Sequence, residues 1–110
     1  MAEPALASLI GAAAALRLIE AHGGTRLYVP RQIEESPRLV EMLGIDGARR
    51  LSAEYGGDYL KVPLARMWRA ARYRAEGLSY AQIARRLGCT ESTVWRHLAA
   101  ADLTQLEMDI

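Results

Sequence analysis

The sequence predicts a mainly α-helical protein with an N-terminal helical region, a short β connector and a C-terminal helix-turn-helix. Residues 80–98, YAQIARRLGCTESTVWRHL, place apolar side chains at helical spacing on both sides of a Gly-Cys-Thr turn. Two similar segments, GGTRLYVP at 23–30 and GGDYLKVP at 56–63, have the apolar alternation of short strands. The chain has 110 residues, 51% of them hydrophobic, which suits one small globular domain or two very small modules.

The first 22 residues predict a helix rather than a targeting segment or a membrane span. Their apolar run consists mostly of alanine and is too short to cross a bilayer, and Glu3 stands where a signal peptide carries positive charge. We expect one helix from about Pro4 to His22. Because it has little polar surface apart from Arg17 and Glu20, this helix is expected to pack on a partner subunit or to fray. The protein is expected in the cytoplasm.

The two Gly-Gly segments are predicted to be extended connectors between helices. Each carries Leu and Val two residues apart, which places both on one face of a strand. The proline that follows, Pro30 or Pro63, is expected to end the strand and to begin a helix, where its missing N–H costs nothing. Since such short strands are marginal alone, we expect them to pair with each other or with counterparts in a second subunit. Chance similarity of the two segments is the alternative.

Between the connectors, the sequence predicts two short helices. Ser36 and Pro37 open the first, which Gly44 stops, and Asp46 caps the second, which runs to Tyr55. Their apolar residues are Leu39, Val40, Leu43, Ile45, Ala48, Leu51 and Tyr55. Two short helices cannot bury this set by themselves, which argues for dimerisation.

A longer helix is predicted from Pro63 to about Gly77, in support of the helix-turn-helix. The residues expected on its inner face are Leu64, Met67, Trp68, Ala71 and Ala75.

The helix-turn-helix itself follows from apolar stripes and two local signals. The stripe of its first helix is Ile83, Ala84 and Leu87, and that of its second is Val94, Leu98 and Ala101. Gly88 is expected to end the first helix in the left-handed conformation that glycine enters without steric cost. Thr90 is expected to cap the second helix, from Glu91 to Ala101, because its hydroxyl can accept from an unpaired backbone N–H.

The charge is unevenly distributed, although the chain carries only +1 in total. Residues 61–100 hold one Lys and seven Arg against two Glu, a net of +6, whereas residues 1–60 carry −2 and the last ten −3. A basic block over the helix-turn-helix is what a surface facing DNA phosphates requires. By itself, such a block is equally typical of a solvated face.

The second helix of the pair carries the predicted base contacts. Arg96 is the first choice because arginine can bind guanine through two hydrogen bonds, with a phosphate or solvent contact as its alternative. Ser92 and Thr93 lie in the first turn and suit phosphate or base contact, or solvation. Trp95 could stack on the sugar-phosphate wall, although packing on the supporting helix is favoured. His97 is a further candidate, with a hydrogen-bonding surface role as its alternative.

The other candidate DNA contacts lie outside that helix. They are Ser79, Tyr80, Gln82, Thr90, Arg69, Arg72 and Lys61. The start of the first helix commonly faces a phosphate in such units, and the basic side chains would supply affinity without sequence information. Arg85 and Arg86 are interpreted mainly as solvated residues, with phosphate contact as the alternative.

The sequence gives little support to an enzyme. It has two isolated histidines, one cysteine, no Gly-rich phosphate loop and no metal-binding spacing such as CxxC or HExxH, so neither a cofactor nor a metal is expected. Cys89 has no partner for an intrachain disulfide and is expected to act as a small buried apolar residue. A recombinase or transposase could carry a similar recognition helix, but residues 1–60 offer no nucleophile with a supporting base.

With these motifs in order, the chain resembles the Mor/C family of bacteriophage middle- and late-gene transcription activators and their prophage relatives. The GG-x-x-L-x-VP segments, GIDGARRLSAEYGG at 44–57 and the helix-turn-helix carry the resemblance, over roughly residues 20–100. It implies a homodimer with intertwined N-terminal helices that binds an imperfect dyad in double-stranded DNA and recruits host RNA polymerase. It also implies that Tyr59 and Lys61 reach the DNA backbone or minor groove.

Together these features predict a homodimeric, sequence-specific transcription regulator of prophage or mobile-element genes, most simply an activator. The expected division is a helical dimerisation region at 1–55, a short strand linker at 56–63 and a DNA-binding domain at 64–110. A repressor or an antitoxin-like protein would have the same motif. A protein-interaction module is a third alternative, and it would lack salt-sensitive affinity for DNA.

Overall fold

A computed structural model of the chain describes residues 3–108, with side chains for residues 3–100. The elements are α1 Ala5–Ile10, α2 Ala12–His22, β1 Arg26–Val29, a 3-10 helix Ile33–Glu35, α3 Pro37–Tyr55, β2 Asp58–Lys61, α4 Arg66–Ala75, α5 Tyr80–Leu87 and α6 Glu91–Met108. The predicted fold class is confirmed. The chain divides into two compact units, Glu3–Leu64 and the residues from Ala65 onward.

The N-terminal segment forms two helices, so the prediction of one continuous helix was wrong. Gly11, between α1 and α2, has φ 89° and ψ 153°, a conformation that a side chain would strain and that a right-handed helix cannot contain. The change of direction lets both α1 and α2 pack on α3. They are not left to a partner subunit, because Leu6, Ile10, Leu18 and Ile19 are buried within the chain.

Helix α3 forms the centre of this first unit. It bends at Gly44, with φ 77° and ψ 160°, which confirms the predicted break, and Arg17 Nε of α2 donates to the Met42 carbonyl 2.7 Å away. Leu39, Leu43, Ala48 and Leu51 are all buried. Most of the apolar set that argued for dimerisation is therefore covered inside the chain, and that argument was wrong. Ile45 is the clear exception, at 42% exposure.

The two Gly-Gly connectors pair with each other as an antiparallel ribbon. Leu27 lies opposite Leu60, and Tyr28 opposite Tyr59. The pleat turns Leu60 toward α3 as a buried residue and leaves both tyrosines on the outer face. Pairing within the chain was one of the two expected arrangements, and it satisfies the backbone of strands that are too short to persist alone.

Neither proline of the connectors begins a helix, contrary to expectation. After Pro30 the chain passes through the 3-10 helix before α3, and after Pro63 helix α4 starts only at Arg66. Ala65 explains the second delay, because its φ of 46° and ψ of 45° are left-handed and end any right-handed helix that would start before it.

The second unit is a three-helix arrangement in which α4 and α5 pack on α6 and on each other. Its buried residues are Trp68, Ala70, Tyr73, Ile83, Ala84, Leu87 and Val94. The predicted stripe of α5 is confirmed, and Leu98 of α6 is half-buried. The side chain of Ala101 lies outside the described residues.

The predicted inner face of α4 was partly wrong. Trp68 is buried as expected, but Leu64 is 43% exposed and Ala75 is exposed. Because the helix begins at Arg66, Leu64 precedes it and the core face of α4 falls on Trp68, Ala70 and Tyr73 instead. Tyr73, with none of its surface exposed, is the largest fully buried side chain of the described residues.

Candidate nucleic-acid interface

Helix α5 starts with a complete capping box. Ser79 Oγ accepts a hydrogen bond from Gln82 N at 3.2 Å, and Gln82 Oε1 accepts one from Ser79 N at 2.8 Å. Two backbone donors that the helix start would leave unpaired are thereby satisfied. Ser79 and Gln82 thus have a structural role, while the Ser79 hydroxyl proton and the Gln82 amide N–H groups, both on exposed residues, keep their capacity to donate to a phosphate.

The turn between α5 and α6 has the geometry that its sequence predicts. Gly88 is left-handed, with φ 68° and ψ 39°, and Cys89 N donates to Ala84 O at 3.0 Å. Thr90 Oγ1 accepts from Thr93 N at 3.2 Å, so the predicted cap of α6 is confirmed. Cys89 is only half-buried, so it is less enclosed than expected.

The outward face of α6 carries Glu91, Ser92, Trp95 and Arg96, all exposed. Val94 is fully buried, so its side of α6 faces the core. Because successive residues of a helix are rotated by about 100°, the four exposed residues lie on the other sides of the helix. The face therefore combines one guanidinium, one hydroxyl, one carboxylate and one indole. Such side chains can contact phosphates and base edges.

Trp95 does not pack on the supporting helix, and that expectation was wrong. The residue is 61% exposed because it lies one position after the buried Val94 and one turn after the exposed Glu91. Together with Tyr80 of α5, Trp95 lines a shallow pocket that also includes Glu91 and Ser92.

Three side chains form a hydrogen-bonded ladder along α6. Thr90 Oγ1 and Thr93 Oγ1 are 3.0 Å apart, and Arg96 Nη2 donates to Thr93 Oγ1 at 3.1 Å. The Thr93 hydroxyl is thus engaged within the helix and half-buried, so it is less available to DNA than the sequence indicated. Its effect is to hold the guanidinium of Arg96 at a defined place beside the first turn.

His97 lies on a flank of α6 and is half-buried. Its Nε2 atom is buried and has no hydrogen-bond partner among the described residues. Burial lowers the pKa of His97 below its ordinary value of 6.5, and the positive charges of Arg66 and Arg96 lower this pKa further. His97 is therefore neutral near pH 7.

Arginines of the supporting helix are held by aromatic rings and carbonyl oxygens. Arg69 Nε donates to Tyr73 Oη at 3.3 Å and Arg69 Nη2 to Arg86 O at 3.4 Å, while the Arg86 guanidinium lies 5.2 Å from the Tyr73 ring centroid. The Arg72 guanidinium lies 5.9 Å from the ring centroid of Trp68. The Arg86–Tyr73 cation–π contact and the Arg69–Arg86 hydrogen bond link α4 to α5, whereas the Arg72–Trp68 contact lies within α4. Both Arg69 and Arg72 are half-buried.

The role of Tyr73 in supporting these arginines was not predicted from the sequence. Tyr73 is adjacent to basic residues, and composition does not show that its side chain is buried. A usable signal existed in the spacing of Arg69 and Tyr73, four residues apart, which places them on one face of a helix. Arg74 is held similarly, with Nη1 donating to Leu78 O at 3.0 Å and its guanidinium 5.0 Å from the Tyr80 ring centroid.

The last predicted contact, Lys61, belongs to the first unit. It lies on the outer face of the ribbon with Arg26, Tyr28 and Tyr59, all exposed. The two tyrosine rings meet edge to face, with centroids 5.3 Å apart and planes at 65°. This face therefore presents two aromatic rings beside two cations.

Within the part of the chain that the structure describes, no helix is both long and apolar enough to span a membrane. Nor do the described residues include a group of three or more His, Cys, Asp or Glu side chains placed to hold a metal ion.

Comparison with known families finds one similarity, and it lies in the second unit. Residues 65–103 match the homeodomain-like domain family, a helix-turn-helix class that binds DNA. No curated protein and no solved structure matches the chain. The match covers α4, α5 and the first part of α6, which are the elements that form the capped helix pair and its support. Residues 65–103 are therefore similar to homeodomain-like DNA-binding domains.

Proposed function

We propose that the protein is a sequence-specific transcription regulator that places α6 in the major groove of double-stranded DNA. The observation that carries this proposal is the outward face of α6, where Ser92 and Arg96 stand exposed on a helix whose start is capped and whose rotation is set by Val94. In a helix-turn-helix, the N-terminal residues of the second helix contact base edges while the first helix crosses the backbone.

The phosphate contacts of this proposal come from the start of α5 and from basic residues around it. Ser79 and Gln82 lie at that start, and Arg85 is exposed in the last turn of the same helix. The family match and the net charge of +6 over residues 61–100 both support this orientation. Arg69 and Arg72 contribute mainly by shaping the unit, because their guanidinium groups have partners inside it.

More specifically, we propose that the protein is a homodimeric activator of prophage or mobile-element genes that recruits host RNA polymerase, as the resemblance to the Mor/C family implies. The exposed ribbon face with Tyr28, Tyr59 and Lys61 offers a second surface for contacting a partner, which supports this proposal. A dimer would place two recognition helices in grooves about 34 Å apart or a multiple of that distance.

The decisive experiment is selection of binding sites from random duplex DNA with the purified protein at near-physiological salt. We expect an imperfect dyad with fixed half-site spacing. A single half-site would reject the dimer and keep the DNA-binding function, and no enriched motif would reject sequence-specific binding in favour of a protein-interaction module. With the selected site upstream of a weak promoter, increased reporter expression would support an activator, and decreased expression a repressor.

A further inference from the structure

The pocket between the starts of α5 and α6 has a composition that phosphate contacts do not explain. Tyr80 and Trp95 supply aromatic surface, and Glu91 and Ser92 complete its lining. Trp95 keeps 61% of its surface exposed although an indole gains free energy from burial. The Tyr80 wall is held in place, because the Arg74 guanidinium lies 5.0 Å from its ring centroid and is itself bonded to the Leu78 carbonyl.

The negative charge in the pocket disfavours contact with the phosphates of the DNA backbone. Glu91 places a carboxylate beside the two rings, and a phosphate near it would be repelled. Stacking of Trp95 on the sugar-phosphate wall would bring Glu91 close to that charge. A base edge carries no net charge and, on cytosine and adenine, offers amino groups that a carboxylate can accept from.

The major groove displays one apolar group that fits aromatic walls, the methyl group on C5 of a pyrimidine. We propose that the Tyr80–Trp95 pocket receives this 5-methyl group, while Glu91 excludes phosphate and accepts a hydrogen bond from an exocyclic amino group next to it. The proposal rests on the DNA-binding function above and adds the identity of one base in each half-site. The methyl group can come from thymine or from 5-methylcytosine.

The test uses the full chain and the duplex obtained by site selection. Each thymine is replaced in turn by deoxyuridine, which removes only the methyl group, and each cytosine by 5-methylcytosine, which adds only that group. At one position per half-site we expect the methyl-bearing duplex to bind about fourfold more tightly, the change that burying one such group produces. The replacement that gives this change identifies the source of the methyl group.

The protein variants locate the effect. Trp95→Ala is expected to bind the methylated and unmethylated duplexes equally, whereas Trp95→Phe, which keeps an aromatic wall, is expected to retain the preference. Tyr80→Leu provides a second lining variant, and circular dichroism checks that each variant is folded. The pocket is rejected if no position depends on a methyl group, or if the dependence persists in both Trp95→Ala and Tyr80→Leu. In those cases sequence-specific binding would survive, whereas failure to select any motif would reject the DNA-binding function and this pocket with it.

Discussion

The Thr93 hydroxyl determines where the Arg96 guanidinium lies. Accepting from Arg96 Nη2 at 3.1 Å, and bonded to Thr90 at 3.0 Å, Thr93 restricts a side chain that otherwise has many rotamers. A restricted arginine loses less entropy when it binds a base. Thr93 is therefore a positioning residue and Arg96 the residue that would contact the base.

Arg96→Ala is expected to weaken binding to the selected site by about 1–3 kcal/mol and to relax preference at one base per half-site. Competition binding against single-base variants of that site measures both effects. If affinity falls equally for every DNA sequence, Arg96 contacts phosphate instead of a base.

Thr93→Val keeps the shape of the side chain and removes its hydroxyl, so we expect a smaller loss of specific binding, about 0.5–1.5 kcal/mol. Thr93→Ser is the matched control and should bind as the original protein does. In a double-mutant cycle, Thr93→Val should have no effect once Arg96 is alanine. An undiminished effect in that background would contradict a positioning role.

His97 is expected to make the second unit less stable in mild acid. Because its pKa is lowered in the folded state, the unfolded chain takes up a proton first as the pH falls through 6.5, and folding stability is lost below that pH. Thermal unfolding between about pH 7.5 and 5.5 measures this loss, above the range where carboxylates titrate. His97→Gln should reduce this pH dependence; an equal slope in the variant and in the original protein would contradict the assignment.

At the scale of secondary structure, the helix pair depends on bonds formed within a few residues. The Ser79–Gln82 capping box, the left-handed Gly88 and the Thr90 cap each involve neighbours in the sequence. For this reason the turn and both helix starts could be predicted without knowledge of the remaining chain. Helix α4 was expected, but its start and its core face could not be predicted, because the start depends on the conformation of Ala65 and the core face on Tyr73.

Ser79→Ala should destabilise the second unit by about 1 kcal/mol, since the N–H of Gln82 then loses its acceptor at the start of α5. Ser79→Asp preserves an N-cap acceptor and should retain most of the stability. Urea unfolding monitored by Trp fluorescence measures both variants. An unchanged midpoint for the alanine variant would show that solvent replaces the cap fully.

At the scale of the whole molecule, charge separates the two halves of the chain. The net +6 of residues 61–100 coincides with the family match, and the remaining residues are acidic overall. We therefore expect DNA affinity to fall steeply as salt is added. In a plot of log affinity against log salt, the slope should be about −0.9 for each phosphate contacted.

Arg85→Gln is expected to make that slope shallower by about 1 and to weaken binding to all DNA sequences alike. Arg85 is exposed in the last turn of α5, whereas Arg49 is exposed on α3 of the other unit and provides the control Arg49→Gln. Affinity measured between about 50 and 200 mM salt distinguishes the two. If Arg85→Gln and the original protein have the same slope, α5 does not contact phosphate through Arg85.

The sequence alone determined the helix-turn-helix and its turn, the break at Gly44 and the pairing segments of the ribbon. Apolar periodicity, capping residues and glycine conformations act over a few residues and leave their mark in the order of the chain. Tertiary structure decided which apolar surfaces are covered. Leu18 and Ile19 of α2 are buried within the chain, Tyr73 became the core of the second unit, and Trp95 was left exposed. Burial depends on contacts between residues distant in sequence, and no local pattern specifies these contacts.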